Sequence, residues 1–291
     1  MSNPKSFTAT VIRATGSWYE VLTDQGEQLN CRIRGRLRLK GIRSTNPVVV
    51  GDRVLCEKGE EEYTICGIEE RRNYVIRRAS NLSKESHIIA ANIDRALLVT
   101  TLFQPTTARE FIDRFLVTCE AYKIPVVIAL AKIDLARQHP EEVADFKATY
   151  EAAGYRVIEL SATEGEGVEW VRDWVKEGTT LLSGNSGVGK STLIRALEPT
   201  LEVRTGEISE SHHKGKHTTT FSTMYPLPSG GWIIDTPGIK GFGLIDIDGA
   251  ELWHYFREMI GRAGDCRFYN CTHTHEPGCA IEAAVKAGEI A

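Results

Sequence analysis

Residues 184–191 read Gly184-Asn185-Ser186-Gly187-Val188-Gly189-Lys190-Ser191, which is G-x-x-x-x-G-K-S. This spacing is that of a phosphate-binding P-loop. The glycines let successive backbone N–H groups turn inward toward a polyphosphate. The Lys190 ammonium reaches the terminal phosphates, and the Ser191 hydroxyl is the expected Mg²⁺ ligand. The flanks support the reading. Thr179–Ser183 has the composition of a short strand, and Thr192–Leu197 that of the helix that follows, whose N-terminal dipole favours an anion. Ser183 and Thr192, at the two ends of the loop, join the expected nucleotide contacts.

Upstream of this loop the chain alternates buried strands with amphipathic helices, the pattern of an α/β sheet. Strands are expected at Asp94–Thr100, Val126–Leu130 and Tyr155–Leu160, with helices at Ala108–Tyr122, Glu141–Ala153 and Val168–Val175. Downstream, Thr219–Tyr225 and Trp232–Asp235 read as paired strands. The strand ends carry further nucleotide signatures. Ala131-Lys132-Ile133-Asp134 is similar to the N-K-x-D box, whose carboxylate accepts two N–H donors of guanine. Ser161-Ala162 is similar to the loop whose N–H meets the base carbonyl. Asp235-Thr236-Pro237-Gly238 matches the D-x-x-G box, with Asp235 on water-held Mg²⁺ and the Gly238 N–H on the terminal phosphate. Thr218-Thr219-Thr220 is placed for a switch, with Thr219 closing on the metal. In the ordinary order the P-loop comes first; here the base box and Ser-Ala precede it. The sequence is therefore read as a circularly permuted GTPase, a rearrangement tolerated where termini and loops lie at the surface.

Two smaller modules flank this region. Residues 6–70 hold five short alternating runs, Phe7–Ile12, Trp18–Leu22, Gln28–Ile33, Val48–Cys56 and Tyr63–Ile68, which suit a small barrel of the OB type. Arg32, Arg34, Arg36, Arg38 and Lys40 recur at every second position, so a strand would present all five on one face toward RNA phosphates. Near the C-terminus, Cys266-x4-Cys271-x-His273-x5-Cys279 offers three thiolates and an imidazole, a closed tetrahedral set for one structural Zn²⁺, with His275 as a competing ligand. The other four of the seven cysteines, Cys31, Cys56, Cys66 and Cys119, are expected to be small buried residues. The expected boundaries are a barrel over 1–70, a polar linker over 71–91, the GTPase domain over 92–248 and a small α-helical zinc domain over 249–291. No apolar run approaches a membrane span and no signal-peptide core is present, so a cytoplasmic monomer is expected.

The permuted order, GNSGVGKS, KHTTT, DTPGIKGF and CRFYNCTHTHEPGCA together resemble the ribosome small-subunit-dependent GTPase A (RsgA) family along essentially the whole chain. The resemblance implies an OB barrel, a permuted GTPase domain and a zinc domain. It also implies GTP hydrolysis stimulated by the small ribosomal subunit during its late assembly, with ribosomal RNA as a partner. Two positions give the chain its own character. Ala131 stands where the family usually has Asn or Thr, which removes a side-chain hydrogen bond. Ile239 follows DTPG, and it cannot orient water as glutamine does in Ras-like enzymes. The resemblance points to His217 as the substitute catalytic group and to His273, rather than His275, as the zinc ligand.

Overall fold

The computed structural model describes residues 6–16, 18–33, 47–60, 62–78, 86–201, 222–236 and 247–291. His217, Thr219, Gly238, Arg34, Arg36, Arg38 and Lys40, expected to be functional, lie outside the described residues.

The N-terminal part is a closed barrel of β1 (Ser6–Thr15), β2 (Trp18–Thr23), β3 (Gln28–Ile33), β4 (Arg53–Lys58) and β5 (Tyr63–Ile68). Pairing runs β1–β2–β3–β5–β4 and returns from β4 to β1, with only β3–β5 parallel. Inward positions Ala9, Val11, Tyr19, Val21, Cys31, Val54, Cys56 and Ile65 form its core. Period-2 alternation put these residues inside, as the sequence suggested. The fourth strand starts later than expected. Val48, Val49 and Val50 turn rather than extend, and each enters a different apolar cluster. The turn needs Gly51: its φ is +89°, and a Cβ there would lie 2.1 Å from the Ala91 carbonyl oxygen. Cys31, Cys56 and Cys119 are buried as expected, but Cys66 is only half-buried and donates to the Leu55 carbonyl at 3.3 Å.

Residues expected as a polar linker contain a hairpin, β6 (Tyr74–Arg78) and β7 (Ser86–Ala91). Val75, Ile76, Ile88, Ala90 and Ala91 are buried. The hairpin is tied on both sides: Arg71 forms a buried ion pair with Asp52 at 2.6 Å, and Arg72 binds Asp94 at 2.8 Å. Asn73 brackets Ile93 through both its amide atoms.

The central sheet runs β10–β9–β8–β11–β13–β12, built from β8 (Arg95–Thr100), β9 (Val126–Ala131), β10 (Arg156–Leu160), β11 (Thr179–Ser183), β12 (Thr223–Pro226) and β13 (Trp232–Asp235). All are parallel except β12. Every residue of β9 is buried, as a strand covered on both faces requires. Alternate side chains serve opposite cores. Ala96, Leu98, Val126, Ile128 and Leu130 face Phe111, Ile112 and Phe115 of α1 (Arg109–Ala121) and Phe146 and Tyr150 of α3 (Pro140–Ala152). Leu97, Val99, Val127, Ala129 and Ala131 face Val168 and Val171 of α4 (Val168–Trp174) and Leu193 and Ile194 of α5 (Lys190–Leu197). A single turn, α2 (Ile133–Ala136), follows β9. The C-terminal part carries 3-10 turns at Leu252–Tyr255 and Ala263–Asp265, with short helices α6 (Arg257–Ile260) and α7 (Ala280–Lys286). No helix among the described residues is long and apolar enough to cross a membrane.

Candidate nucleotide site and metal cluster

The carboxyl ends of β8, β9, β10, β11 and β13 converge, and ligands of open α/β sheets bind at such an edge. β11 delivers the P-loop. Gly184 is required where the loop leaves the strand: its φ is +145°, and a Cβ would lie 2.3 Å from the Val99 carbonyl oxygen. Gly189, at φ +106°, starts α5. Lys190 is buried and its Nζ donates to the Gly184 and Asn185 carbonyls at 2.7 and 2.9 Å. The ammonium thus crosses the loop it must serve. Burial pushes its pKa down, and the Asp235 carboxylate opposes that shift.

Asp235 ends β13 beside Leu182 of β11. Thr236 fixes the exit: its backbone N–H and hydroxyl both donate to the Leu182 carbonyl, at 3.2 and 2.8 Å. The Asp235 Oδ1 is out of solvent contact and has no hydrogen-bond partner among the described residues. Desolvation raises this carboxyl to about 6, with Lys190 pulling the other way. A shielded carboxylate oxygen near the Lys190 ammonium, with no partner among the described residues, fits a hydrated Mg²⁺, which would neutralise it. The Ser183 hydroxyl is also buried with no partner among the described residues.

The base-reading half is built by β9 and β10. Ala131 is buried at the end of β9, and Lys132 takes a left-handed backbone, φ 56°, to start α2. This turn brings Asp134 to Ser161, whose hydroxyl donates to the carboxylate at 2.7 Å. The Ser161 backbone N–H bonds to the Glu166 carbonyl at 2.9 Å, which folds the Ser-Ala loop back on itself. One carboxylate oxygen is thereby held by the protein, and a carboxylate keeps lone pairs to accept further N–H donors.

The loop after β8 contributes residues that the sequence reading did not select. Lys132 Nζ donates to the Gln104 carbonyl, and Pro105 lies 3.6 Å from where a Gly187 Cβ would be. The Thr101 N–H is held by the Thr107 hydroxyl at 3.0 Å. This loop therefore touches both the P-loop and the base box, a bridge the small Ala131 side chain cannot make. Phe103 and Gln104, with Asp134, Leu135, Gln138 and His139, line an open depression of about 450 Å³. The available signal was positional: a proline-containing loop after a strand with an apolar Ala96–Val99 run at the centre of an open sheet.

In the C-terminal part, the ligand atoms of Cys266, Cys271, His273 and Cys279 all lie within 4.8 Å of one another. His273 Nδ1 is 3.6 Å from the Cys266 sulfur and 3.5 Å from that of Cys279. A tetrahedral Zn–thiolate site needs ligand separations of roughly 3.8 Å, so the four fit a single metal ion. His275 is exposed and bonds Thr274 instead. The left-handed backbone of His273, φ 60°, is shaped by Glu276, whose carboxylate accepts from the backbone N–H groups of Thr272, Thr274 and His275. Those bonds hold the Glu276 carboxyl well below the usual range, the Thr272 hydroxyl contributing most. N–H groups of Ala280 and Glu282 point at the Cys266 and Cys279 sulfurs, each at 3.3 Å. Desolvation and neighbouring sulfurs push the Cys271 thiol up to about 12, which a bound cation would reverse.

Fold and site together define a class: a P-loop GTPase whose chain is circularly permuted, with a barrel before it and a Cys/His metal cluster after it. Family models described as RsgA N-terminal domain and RsgA GTPase match residues 8–65 and 68–245. A protein of Bacteroides fragilis named small ribosomal subunit biogenesis GTPase RsgA is 54% identical over 95% of this chain and 90% of its own length. One of the same name from Porphyromonas gingivalis is 53% identical over 97% of this chain and 91% of its own. The crystal structure of YjeQ from Thermotoga maritima superposes with a TM-score of 0.75 at 30% identity, covering 99% of this chain and 94% of that one. That of YloQ, described as a circularly permuted GTPase, gives 0.69 at 28% identity, covering 98% and 90%. The chain belongs to the RsgA GTPase family.

Proposed function

We propose that this protein hydrolyses GTP on the small ribosomal subunit late in the subunit's maturation, and that hydrolysis times its release. The observation that carries this reading is the pairing of a Ser161-braced Asp134 with Lys190 and an unpartnered Asp235 oxygen along one sheet edge, in a chain whose relatives are named for small-subunit biogenesis. Asp134 reads guanine, and the backbone of Ala131 to Ile133 and of Ser161-Ala162 borders the base. Gly184 to Val188 wrap the phosphates, with Lys190 turning from the loop carbonyls to the terminal phosphate. Ser191, Asp235 and, on closure, Thr219 hold the Mg²⁺, which when bound spreads the negative charge of the phosphates. Gly238 senses the terminal phosphate. The Cys266, Cys271, His273 and Cys279 cluster takes one structural Zn²⁺. Ribosomal RNA is held by the barrel, where the Arg32 guanidinium lies 4.1 Å over the exposed ring of Trp18 and the Arg34 to Lys40 series follows. The protein works in the cytoplasm as a monomer.

Ile239 supplies no polar group to place water, so free protein turns over slowly and His217 acts when the subunit is bound. Small subunits are expected to raise GTP turnover by roughly tenfold or more, and large subunits not at all. His217→Ala is expected to lower the stimulated rate by about ten- to a thousandfold with GTP affinity kept, the span of one positioned proton-transfer or electrostatic group. Steady-state turnover with each purified subunit tests both. Equal stimulation by the two subunits sinks the subunit assignment. Unchanged stimulated turnover in His217→Ala removes that residue from the chemistry.

A further inference from the structure

The loop between the first two metal-ligand positions has features that neither hydrolysis nor metal binding uses. Cys266 and Cys271 are separated by Arg267, Phe268, Tyr269 and Asn270. Tyr269 is fully exposed and Phe268 is 40% exposed, so the two rings add little to the small apolar cluster around Cys271, Cys279 and Ile281. A single exposed aromatic is ordinary surface. Two adjacent ones on a pinned loop are not explained by the fold.

The loop is held rigid without them. The Arg267 N–H donates to the Gly278 carbonyl at 3.1 Å, and the Cys271 N–H closes a turn on the Phe268 carbonyl at 3.2 Å. Gly278, at φ +80°, allows the close approach, since a Cβ there would lie 3.0 Å from that of Arg267. The rings are thus presented before any partner arrives, which lowers the ordering cost of binding.

Charge says what kind of partner fits. Among the described cations of residues 247–291, Arg257, Arg262 and Lys286 each form an ion pair with a carboxylate. Arg267 forms none with any described residue, and its guanidinium lies 5.4 Å over the Phe268 ring. A free guanidinium stacked on one aromatic, beside a second that is open to solvent, suits an unpaired nucleotide. The base stacks on the ring and the phosphate meets the cation.

We infer that Arg267, Phe268 and Tyr269 form a stacking platform for an unpaired base of ribosomal RNA, with Tyr269 as the face on which the base lies. This rests on the small-subunit reading above. It concerns the C-terminal part alone, outside the barrel and the nucleotide site.

The test uses the full zinc-loaded chain and purified small subunits with a non-hydrolysable GTP analogue. Affinity is measured for the parent protein, Tyr269→Ala, Tyr269→Trp and Arg267→Ala, with zinc content checked in each. Photo-crosslinking followed by mass spectrometry locates adducts on the parent protein. Tyr269→Ala is expected to weaken binding about five- to a hundredfold, the range of one base–aromatic stack, and Tyr269→Trp to retain it. Arg267→Ala is expected to reduce the salt dependence by about one phosphate contact. A nucleotide adduct should appear on the peptide holding residues 267–269. Parent-like affinity of zinc-loaded Tyr269→Ala overturns the platform and leaves the small-subunit reading standing. An adduct of that peptide to a ribosomal protein instead of a nucleotide overturns the RNA assignment. Failure of the parent protein itself to bind small subunits defeats the functional reading, and this inference with it.

Discussion

Asp235 concentrates the electrostatics of the nucleotide site in one side chain. Its carboxyl is raised from 3.8 to about 6 because burial disfavours the charged form more than Lys190 favours it. The sign follows from proton counting. Between pH ~4 and ~6 the folded protein binds more protons at this group than the unfolded chain, so its contribution to stability falls as pH rises through that window. Metal binding needs the carboxylate and displaces the proton. Affinity for the Mg²⁺ complex of a GTP analogue is therefore expected to fall as pH drops below about 6, approaching tenfold per pH unit. Asp235→Asn should bind Mg²⁺-nucleotide weakly and lose that pH dependence. Titrations from pH 5 to 8 on both proteins decide it; an identical slope in the variant assigns the proton to another group. Lys190 has the complementary problem. Its two bonds to loop carbonyls keep a buried ammonium solvated until phosphate replaces them.

At the scale of elements, the strand–loop–helix unit from Thr179 to Leu197 depends on a glycine that no side chain can replace. Gly184→Ala would drive a methyl into the Val99 carbonyl at 2.3 Å on a backbone at φ +145°. Nucleotide affinity is expected to fall about ten- to a hundredfold from this strain, with a lower melting temperature. Gly249→Ala, where a Cβ meets nothing within 4 Å, is the control. Calorimetric binding of GDP to the two variants separates them, and normal affinity in Gly184→Ala would mean that β8 yields. Elements like this one were legible because apolar periodicity and glycine spacing act locally. β8 and β9 are apolar on both faces, so their runs identify a covered parallel sheet without knowledge of its neighbours. Val48–Val50 misled for the opposite reason: three consecutive valines suggest a strand, yet they serve three cores, and only the tertiary fold separates them. The β6–β7 hairpin was hidden because Arg71 and Arg72 precede its short apolar stretches, and these two are consumed by Asp52 and Asp94, which lie far away in sequence. The single turn α2 begins at a left-handed lysine, which no local signal announces. At the site, the P-loop, Asp134, Ser161, Asp235 and the Cys/His set could be read from spacing, but the bridging contacts of Gln104 and Pro105 are backbone and van der Waals contacts with no motif.

Besides the β6–β7 hairpin, two seams among the described residues join the parts of the molecule. One is the sheet itself: Arg13 of β1 pairs with Thr223 of β12, so the barrel and the GTPase sheet form one run of eleven strands. β12 pairs in turn with β13, which ends in Asp235, so the barrel is two strands from that carboxylate. The second seam fastens the C-terminal part to the back of the sheet domain. The Arg257 guanidinium donates to Glu120 at 2.8 Å and to the Gly154 carbonyl at 2.7 Å, and lies 4.3 Å over the Tyr155 ring. Tyr155 donates its own hydroxyl to the same Glu120 oxygen at 3.2 Å. The partners are partly exposed, at 37% for Arg257 and 24% for Glu120, so screening keeps the ion pair modest. Its hydrogen bonds to a charged group still total about 1–2 kcal/mol. The Cys266, Cys271, His273 and Cys279 cluster lies within the C-terminal part, whereas Arg257 holds that part to its neighbour. The two are therefore expected to separate experimentally. Arg257→Ala should keep its metal, yet show about five- to thirtyfold faster hydrogen exchange where the 3-10 turn Leu252–Tyr255 meets α1. Metal removal should instead raise exchange across residues 263–291, since metal binding supplies folding energy directly, and leave β8, β9 and β11 protected. Exchange mass spectrometry on the variant and on chelated parent protein reads both. If Arg257→Ala exchanges like the parent while keeping its metal, the attachment lies in the continuous backbone and not in this arginine.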